Sequence, residues 1–226
     1  MKITFVEINQ ETGKLIQRAI CDNDRYSVDV HCGDFVEYAT KLKKDEKRFI
    51  IVSPANSFGM MDGGFDEAIR QFYQEACKRD IVSFVQTEIG IEYGGEQPVG
   101  TCLRIGSPFD KSIPMLYHIP TMRFPMDVSG TNNAYMAMKA LLLQLDKDDE
   151  EFQLYDNVDE VLVPVFCTGY GHMSPYQAVG QMKLAWNRFA DNSFSPNISS
   201  WEKIGEEVRN QILAGTEVEM CRKGEF

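Results

Sequence analysis

The sequence predicts a single α/β domain with helices on both faces of a sheet, and three observations carry that expectation. Strand-like and helix-like patterns alternate along the chain. Phe49 to Val52 is a short continuous apolar run, as in a strand buried on both faces, and neither a repeat nor a Pro/Gly/Ser-rich linker interrupts the alternation. At roughly 100–200 residues per domain, 226 residues make one large domain or two small ones. Without a linker the reading is one domain over residues 1–215, followed by a fraying tail at 216–226.

Taken in order, Ile3 to Ile8 alternates as a strand, Thr12 to Ile20 is helix-like, and Tyr26 to Cys32 alternates again. Gly33 and Asp34 open a short helix from Phe35 to Leu42, and the buried strand from Phe49 to Val52 follows. Pro54 to Gly64 is a loop of glycine and small residues. Behind it, Phe65, Ala68, Ile69, Phe72, Tyr73 and Ala76 recur at helical spacing, which predicts an amphipathic helix. Asp80 to Gln97 matches neither period. Val99 to Ile105 and Ile113 to Ile119 read as strands around a turn at Ser107 to Asp110, and Ala134, Met138, Leu141, Leu142 and Leu145 mark the next helix. Asp146 to Glu160, with eight acids and one Lys, reads as a solvated connection. Val161 to Phe166 is the last core strand despite Pro164, and it runs into the loop Cys167 to Pro175. Ser174 as N-cap and Pro175 at the first helical position start a helix whose apolar stripe is Ala178, Met182, Ala185, Trp186 and Phe189. Trp201, Ile204, Val208 and Ile212 predict one more helix, closed by Gly215.

Composition narrows the function. The formal charge is −11, which argues against a protein held to a nucleic-acid duplex or an anionic membrane by overall charge. Of that charge, −7 falls between Asp146 and Glu160 (eight acids minus one Lys), leaving −4 for the rest of the chain. Cysteines at 21, 32, 77, 102, 167 and 221 form neither a C-x-x-C pair nor a zinc spacing, so reduced thiols and no metal are expected. The N-terminus lacks a signal-peptide core, and nowhere do about 18 apolar residues run together, so a cytoplasmic protein without membrane attachment is expected. Ile3 to Ile8 is followed by NQETGK, without the G-x-G-x-x-G of a dinucleotide-binding dehydrogenase, and no G-x-x-x-x-G-K-[ST] phosphate loop occurs.

Two segments share one local design of strand, small-residue loop and helix: Phe49 to Ala76 and Val161 to Phe189. In an open α/β sheet such loops lie at the carboxyl ends of strands, where amides at helix starts can hold an anion without Lys or Arg. Two of them could clamp a diphosphate. Asn56 could hydrogen-bond a ribose hydroxyl, and Asp66, in the first helical turn, could accept from a hydroxyl or water. Asp66 could equally be a residue that complements the helix dipole, worth about 0.3–1 kcal/mol. Cys167 before a helix start, with His172 near it, keeps open a thiol hydrolase.

SPANSFGMMDGGFDEAI (53–69) resembles the macro domain motif in which N-A-A-N or N-P-A-N precedes a glycine-rich loop and helix. VPVFCTGYGHMSP (163–175) resembles the second phosphate loop of that family, while MLYHIP (115–120) and VDVHCGDF (28–35) resemble its intervening strand and its strand ending in Gly-Asp-Ile. The ordered set of four blocks is more specific than any one. The resemblance implies a three-layer α/β/α macro-like domain with a mixed central sheet, and an ADP-ribose site. Asp34 would accept from the adenine amine, the backbone at Phe35 would face the base, and Asn56 would contact the distal ribose. Gly63, Gly64 and Phe65 would form the first phosphate loop, and Thr168, Gly169, Tyr170 and Gly171 the second. Asp66 matches the family's Asp that positions water in hydrolytic members, with Asn56 beside it. Ser53 stands where the family usually has Asn, and Tyr170 directly follows Gly169, so the aromatic role over the distal ribose falls to Tyr170 or to His172. The implied activity is hydrolysis of an ADP-ribosyl linkage, either a mono-ADP-ribosyl ester on protein or ADP-ribose 1''-phosphate. The alternative is a reader that binds ADP-ribose without turnover. No cofactor is implied, the partner is ADP-ribose or an ADP-ribosylated substrate, and the oligomeric state stays open.

Overall fold

The computed structural model describes residues 1–193 and 200–216. Its elements are β1 (Lys2–Glu7), α1 (Gln10–Ala19), β2 (Ser27–Cys32), α2 (Phe35–Lys44), β3 (Phe49–Ser53), α3 (Gly64–Ala76), α4 (Ile81–Tyr93), β4 (Leu103–Ile105) and β5 (Met115–His118). They continue through α5 (Asn133–Phe152), α6 (Leu154–Asn157), β6 (Glu160–Val163), α7 (Pro175–Ala190) and α8 (Trp201–Leu213). The strands form one sheet in the order β2-β1-β6-β3-β5-β4. Five run parallel and β4 pairs antiparallel to β5, which makes the sheet mixed.

Successive strand residues point to opposite faces, and each face has its own apolar core. Ile3, Phe5, Ile50, Val52, Tyr117, Val161 and Val163 pack with the apolar sides of α1, α5 and α7. Val6, Ile51, Leu116 and Leu162 pack with those of α2, α3 and α4. The result is the expected three-layer α/β/α architecture. Among the described residues no helix is long and apolar enough to cross a membrane. One edge of the sheet is β2, where the outward amides of Val28 and Val30 donate to the carboxylates of Asp22 and Asp29 at 2.7 and 2.8 Å.

Several expectations change. The stretch from Asp80 to Gln97 contains α4, capped by Asp80 and closed by Gly94 in the left-handed region at φ 66°. Its helical period is blurred because Phe84 and Ile91 are exposed while Ile81, Val85 and Ile89 are buried. The strand expected from Val99 shrinks to β4, because Gly100 at φ 80° turns the chain before Leu103. Pro164, having no amide hydrogen to give to the ladder, ends β6 at Val163.

The acidic run is not a solvated connection. The helix α5 continues through it to Phe152, and two of its acids are buried. Asp148 is fully buried and accepts from Tyr117 Oη at 2.5 Å, Gln144 Nε2 at 2.7 Å and Arg104 Nη1 at 3.1 Å. Glu160 begins β6 and is held by Lys2 at 3.0 Å, by Tyr38 Oη at 2.8 Å and by Thr4. These carboxylates tie the sheet to its helices. The expected tail lies outside the described residues except for Thr216, whose hydroxyl donates to Leu213.

Candidate functional site

A cleft of about 490 Å³ opens at the carboxyl ends of the parallel strands, within the usual size range of small-molecule sites. Its walls come from the end of β1 with Ile8 (Glu7, Ile8) and from the segments after β2 (Asp34, Phe35), β3 (Pro54 to Asn56, Met60, Asp62 to Asp66, Ala68), β5 (Thr121, Met122, Pro125) and β6 (Val165, Thr168 to Gly171). The chain first steps outward from β1 to β2 and later builds the other half from β3 to β5 and β4, with β6 inserted between β1 and β3. Ligand crevices of open α/β sheets form at such reversals of strand order.

All the sequence-predicted site residues line this one cleft: Asp34, Phe35, Asn56, Gly63, Gly64, Phe65, Asp66, Thr168, Gly169, Tyr170 and Gly171. Gly63 is the N-cap of α3 and makes no side-chain cap bond. The next amides therefore have no internal side-chain acceptor and present the positive end of the helix to the cleft. Gly64 sits at φ 59°, a backbone region that favours glycine. Opposite, Cys167 at φ 67° and His172 at φ 52° bend the second loop, and the His172 amide donates to the Gly169 carbonyl at 3.0 Å.

The two loops touch. A Cβ built on Gly63 would lie 2.7 Å from the Tyr170 ring, so absence of a side chain at Gly63 is what lets the half-exposed Tyr170 lie against it. Tyr170 thus lies against the first loop. His172, exposed and beside Asp127, is not among the residues lining the cleft.

Asp34 caps α2 by accepting from the Glu37 amide at 2.8 Å. Phe35 itself is buried, its ring 4.8 Å from that of Phe65. The Asn56 side chain staples its own loop. Its Oδ1 accepts from the Phe58 amide at 3.0 Å and its Nδ2 donates to the Met60 carbonyl at 2.9 Å. The loop backbone after β3 runs on beside that after β5, through Ile119 to Ser53 at 3.0 Å, Thr121 to Ala55 at 2.8 Å and Ser57 to Met122 at 3.1 Å. That pairing brings Thr121 and Met122 into the cleft wall; their sequence, H-I-P-T-M, shows only that they follow a strand.

Asp66 is buried and accepts from the buried Ser53 hydroxyl at 2.6 Å. Burial pushes its carboxyl up to about 7, the Ser53 hydrogen bond opposes that, and the nearby Asp62 adds to it. A carboxyl of this kind exchanges protons near neutral pH, as a general base requires. Cys167 is different. Burial pushes its thiol up to about 12, which leaves it protonated and removes the thiolate that a cysteine hydrolase needs.

Four carboxylates, Glu7, Asp34, Asp62 and Asp66, line the cleft, and no Lys or Arg does. The acidity of the chain therefore does reach the site. Among the described residues no cluster of His, Cys, Asp and Glu could hold a metal ion. No family model matches the chain. Among solved structures, the chain is similar to a macrodomain with ADP from Oceanobacillus iheyensis, over 71% of this chain and 74% of that chain, at 19% identity and a TM-score of 0.48.

Proposed function

We propose that the chain is a macro-like module whose cleft binds ADP-ribose and hydrolyses an ADP-ribosyl linkage. The observation that carries this reading is the meeting of two backbone loops, Gly63 to Phe65 at the open start of α3 and Thr168 to Gly171 after β6, across one cleft. Directional amides, not cationic side chains, then hold the diphosphate. The adenosine lies toward Asp34 and Phe35, and the distal ribose toward Asn56 and Asp66. Ionised Asp66 takes a proton from water as the oxygen attacks the anomeric carbon. The bond to the departing carboxylate or phosphate breaks toward that group, giving ADP-ribose and the free acceptor. Turnover then rises with pH through about 7, the range in which Asp66 loses its proton. The free thiols at Cys21, Cys32, Cys77, Cys102 and Cys167 support a cytoplasmic setting.

Calorimetric titration with ADP-ribose tests the reading directly, and absence of heat at millimolar ligand would sink it. Because carboxylates and no cations line the cleft, affinity should hold or rise between about 0.05 and 0.3 M salt, as screening weakens the repulsion. A steep fall would mean that cationic side chains dominate. Gly171 offers a second handle. A Cβ there would meet the Cys167 carbonyl oxygen at 2.5 Å, whereas one at Gly63 meets only a movable tyrosine ring. Gly171→Ala should weaken ADP-ribose binding by about tenfold or more, and Gly63→Ala by less. Equal affinities for both variants and the wild type would detach the second loop from binding.

Reading without turnover is the second possibility, and the geometry of Asn56 favours it: this amide is tied to its own loop, leaving fewer groups free to orient water. Incubation with mono-ADP-ribosylated protein separates the two, since a reader binds the substrate and releases nothing.

A further inference from the structure

Ser53 is the last residue of β3 and is fully buried. Its place is fixed from two sides. It pairs with His118 of β5 in the sheet register, and its carbonyl accepts from the Ile119 amide at 3.0 Å. Its hydroxyl reaches across to the first turn of α3 and donates to Asp66 Oδ1 at 2.6 Å. Asp66 lines the cleft, so a carboxylate on a helix is clamped by a hydroxyl on a strand at the wall of the site. We propose that Ser53 is the positioning residue for Asp66: it holds one carboxylate oxygen against β3 and so presents the other to the cleft in the form that accepts a proton. This rests on the preceding reading, in which Asp66 is the base.

Beside the amides at the start of α3, Ser53 is the one side chain that favours ionisation. Burial disfavours the charged carboxylate, and Asp62 from the same loop repels it. Glu7 at the end of β1 and Asp34 after β2 are acids that also line the cleft. His118, on the strand beside Ser53, adds no positive charge. Burial pushes it down to about 3, and its Nδ1 is 2.6 Å from Gln97 Oε1. Gln97 Nε2 donates to the carbonyls of Thr101 and His118, so its oxygen is the acceptor and the imidazole Nδ1 carries the proton. Burial pushes the Cys167 thiol up to about 12, so it adds no charge near neutral pH. A hydroxyl that donates to a carboxylate stabilises the charged form, and its removal returns the carboxyl toward the neutral form that burial prefers.

The test is a carbon-13 NMR titration of the Asp66 carboxyl in the full chain, assigned with Asp66→Asn. In Ser53→Ala the midpoint should move upward by about one pH unit. Ser53→Cys keeps the shape but donates poorly, and it should move the midpoint the same way; Ser53→Thr keeps the hydroxyl and should restore it. Turnover at pH 7 should fall about fivefold in the Ala and Cys variants, following the ionised fraction, and recover at pH 9. A purely structural role would lower turnover at every pH and leave the midpoint alone. An unmoved midpoint in both folded variants overturns the proposal. Failure of the wild type to bind ADP-ribose would instead defeat the preceding reading, while the titration still decides whether Ser53 governs Asp66.

Discussion

Asp66→Asn is expected to make the protein more stable at pH 8 while abolishing the proposed turnover. The carboxyl titrates near 3.8 in an unfolded chain and at about 7 in the folded one, with burial as the main cause. Above pH 7 the group is ionised in both states, so folding carries the whole cost of burying the charge. Between about 4 and 7 the folded state binds a proton that the unfolded state lacks, and the cost shrinks as pH falls. Below about 4 it is gone. Asparagine keeps an oxygen for the Ser53 hydroxyl and never carries charge. Urea unfolding should therefore show the variant more stable by about 2–4 kcal/mol at pH 8, with the gap closing toward pH 4.5. A variant less stable than wild type at both pH values would mean that Asp66 is not held against its preference for water.

The second large effect lies outside the residues that line the cleft. Asp148→Ala should lower stability by about 2–4 kcal/mol, discounted from the usual cost of breaking a buried pair because Arg104 keeps some contact with solvent. The loss strands the Tyr117 hydroxyl, whose partner Asp148 is, and frees Gln144 one turn earlier on α5. Two residues further on, Glu150 is exposed, and Glu150→Ala should change stability by no more than about 0.5 kcal/mol. Chemical denaturation of the two variants side by side checks this. Similar small losses in both would return the acidic run to the solvent-facing role that its composition suggests.

Charge density alone cannot separate Asp148 from Glu150. What separates them is the register of α5, which turns Asp148 toward β5, and that register extends a helix marked upstream by Leu141, Leu142 and Leu145. The layered architecture was legible because the strands alternate or run apolar and the helices carry stripes. The helix α4 was not, since Phe84 and Ile91 place apolar side chains on its outer side. The loops at Gly63 and Gly169 were legible as local strand-loop-helix designs, and the structure brings both to one cleft. Ser53 was legible only as a departure from a motif. Its role depends on a partner thirteen residues away across the strand-helix gap, a contact that no local spacing encodes. The Asn56 staple likewise depends on how its loop folds back on itself.

The edge strand β2 bears on the behaviour of the protein at high concentration. A parallel edge ordinarily leaves every second amide pointing outward, ready to pair with a strand from another molecule. Here the Asp22 and Asp29 carboxylates already occupy those of Val28 and Val30. An incoming strand would have to displace an anion from each amide and bring its own carbonyl up to a negatively charged border. The β2 margin of the sheet is thus a poor template for a strand from another molecule, by means unrelated to the chemistry of the cleft.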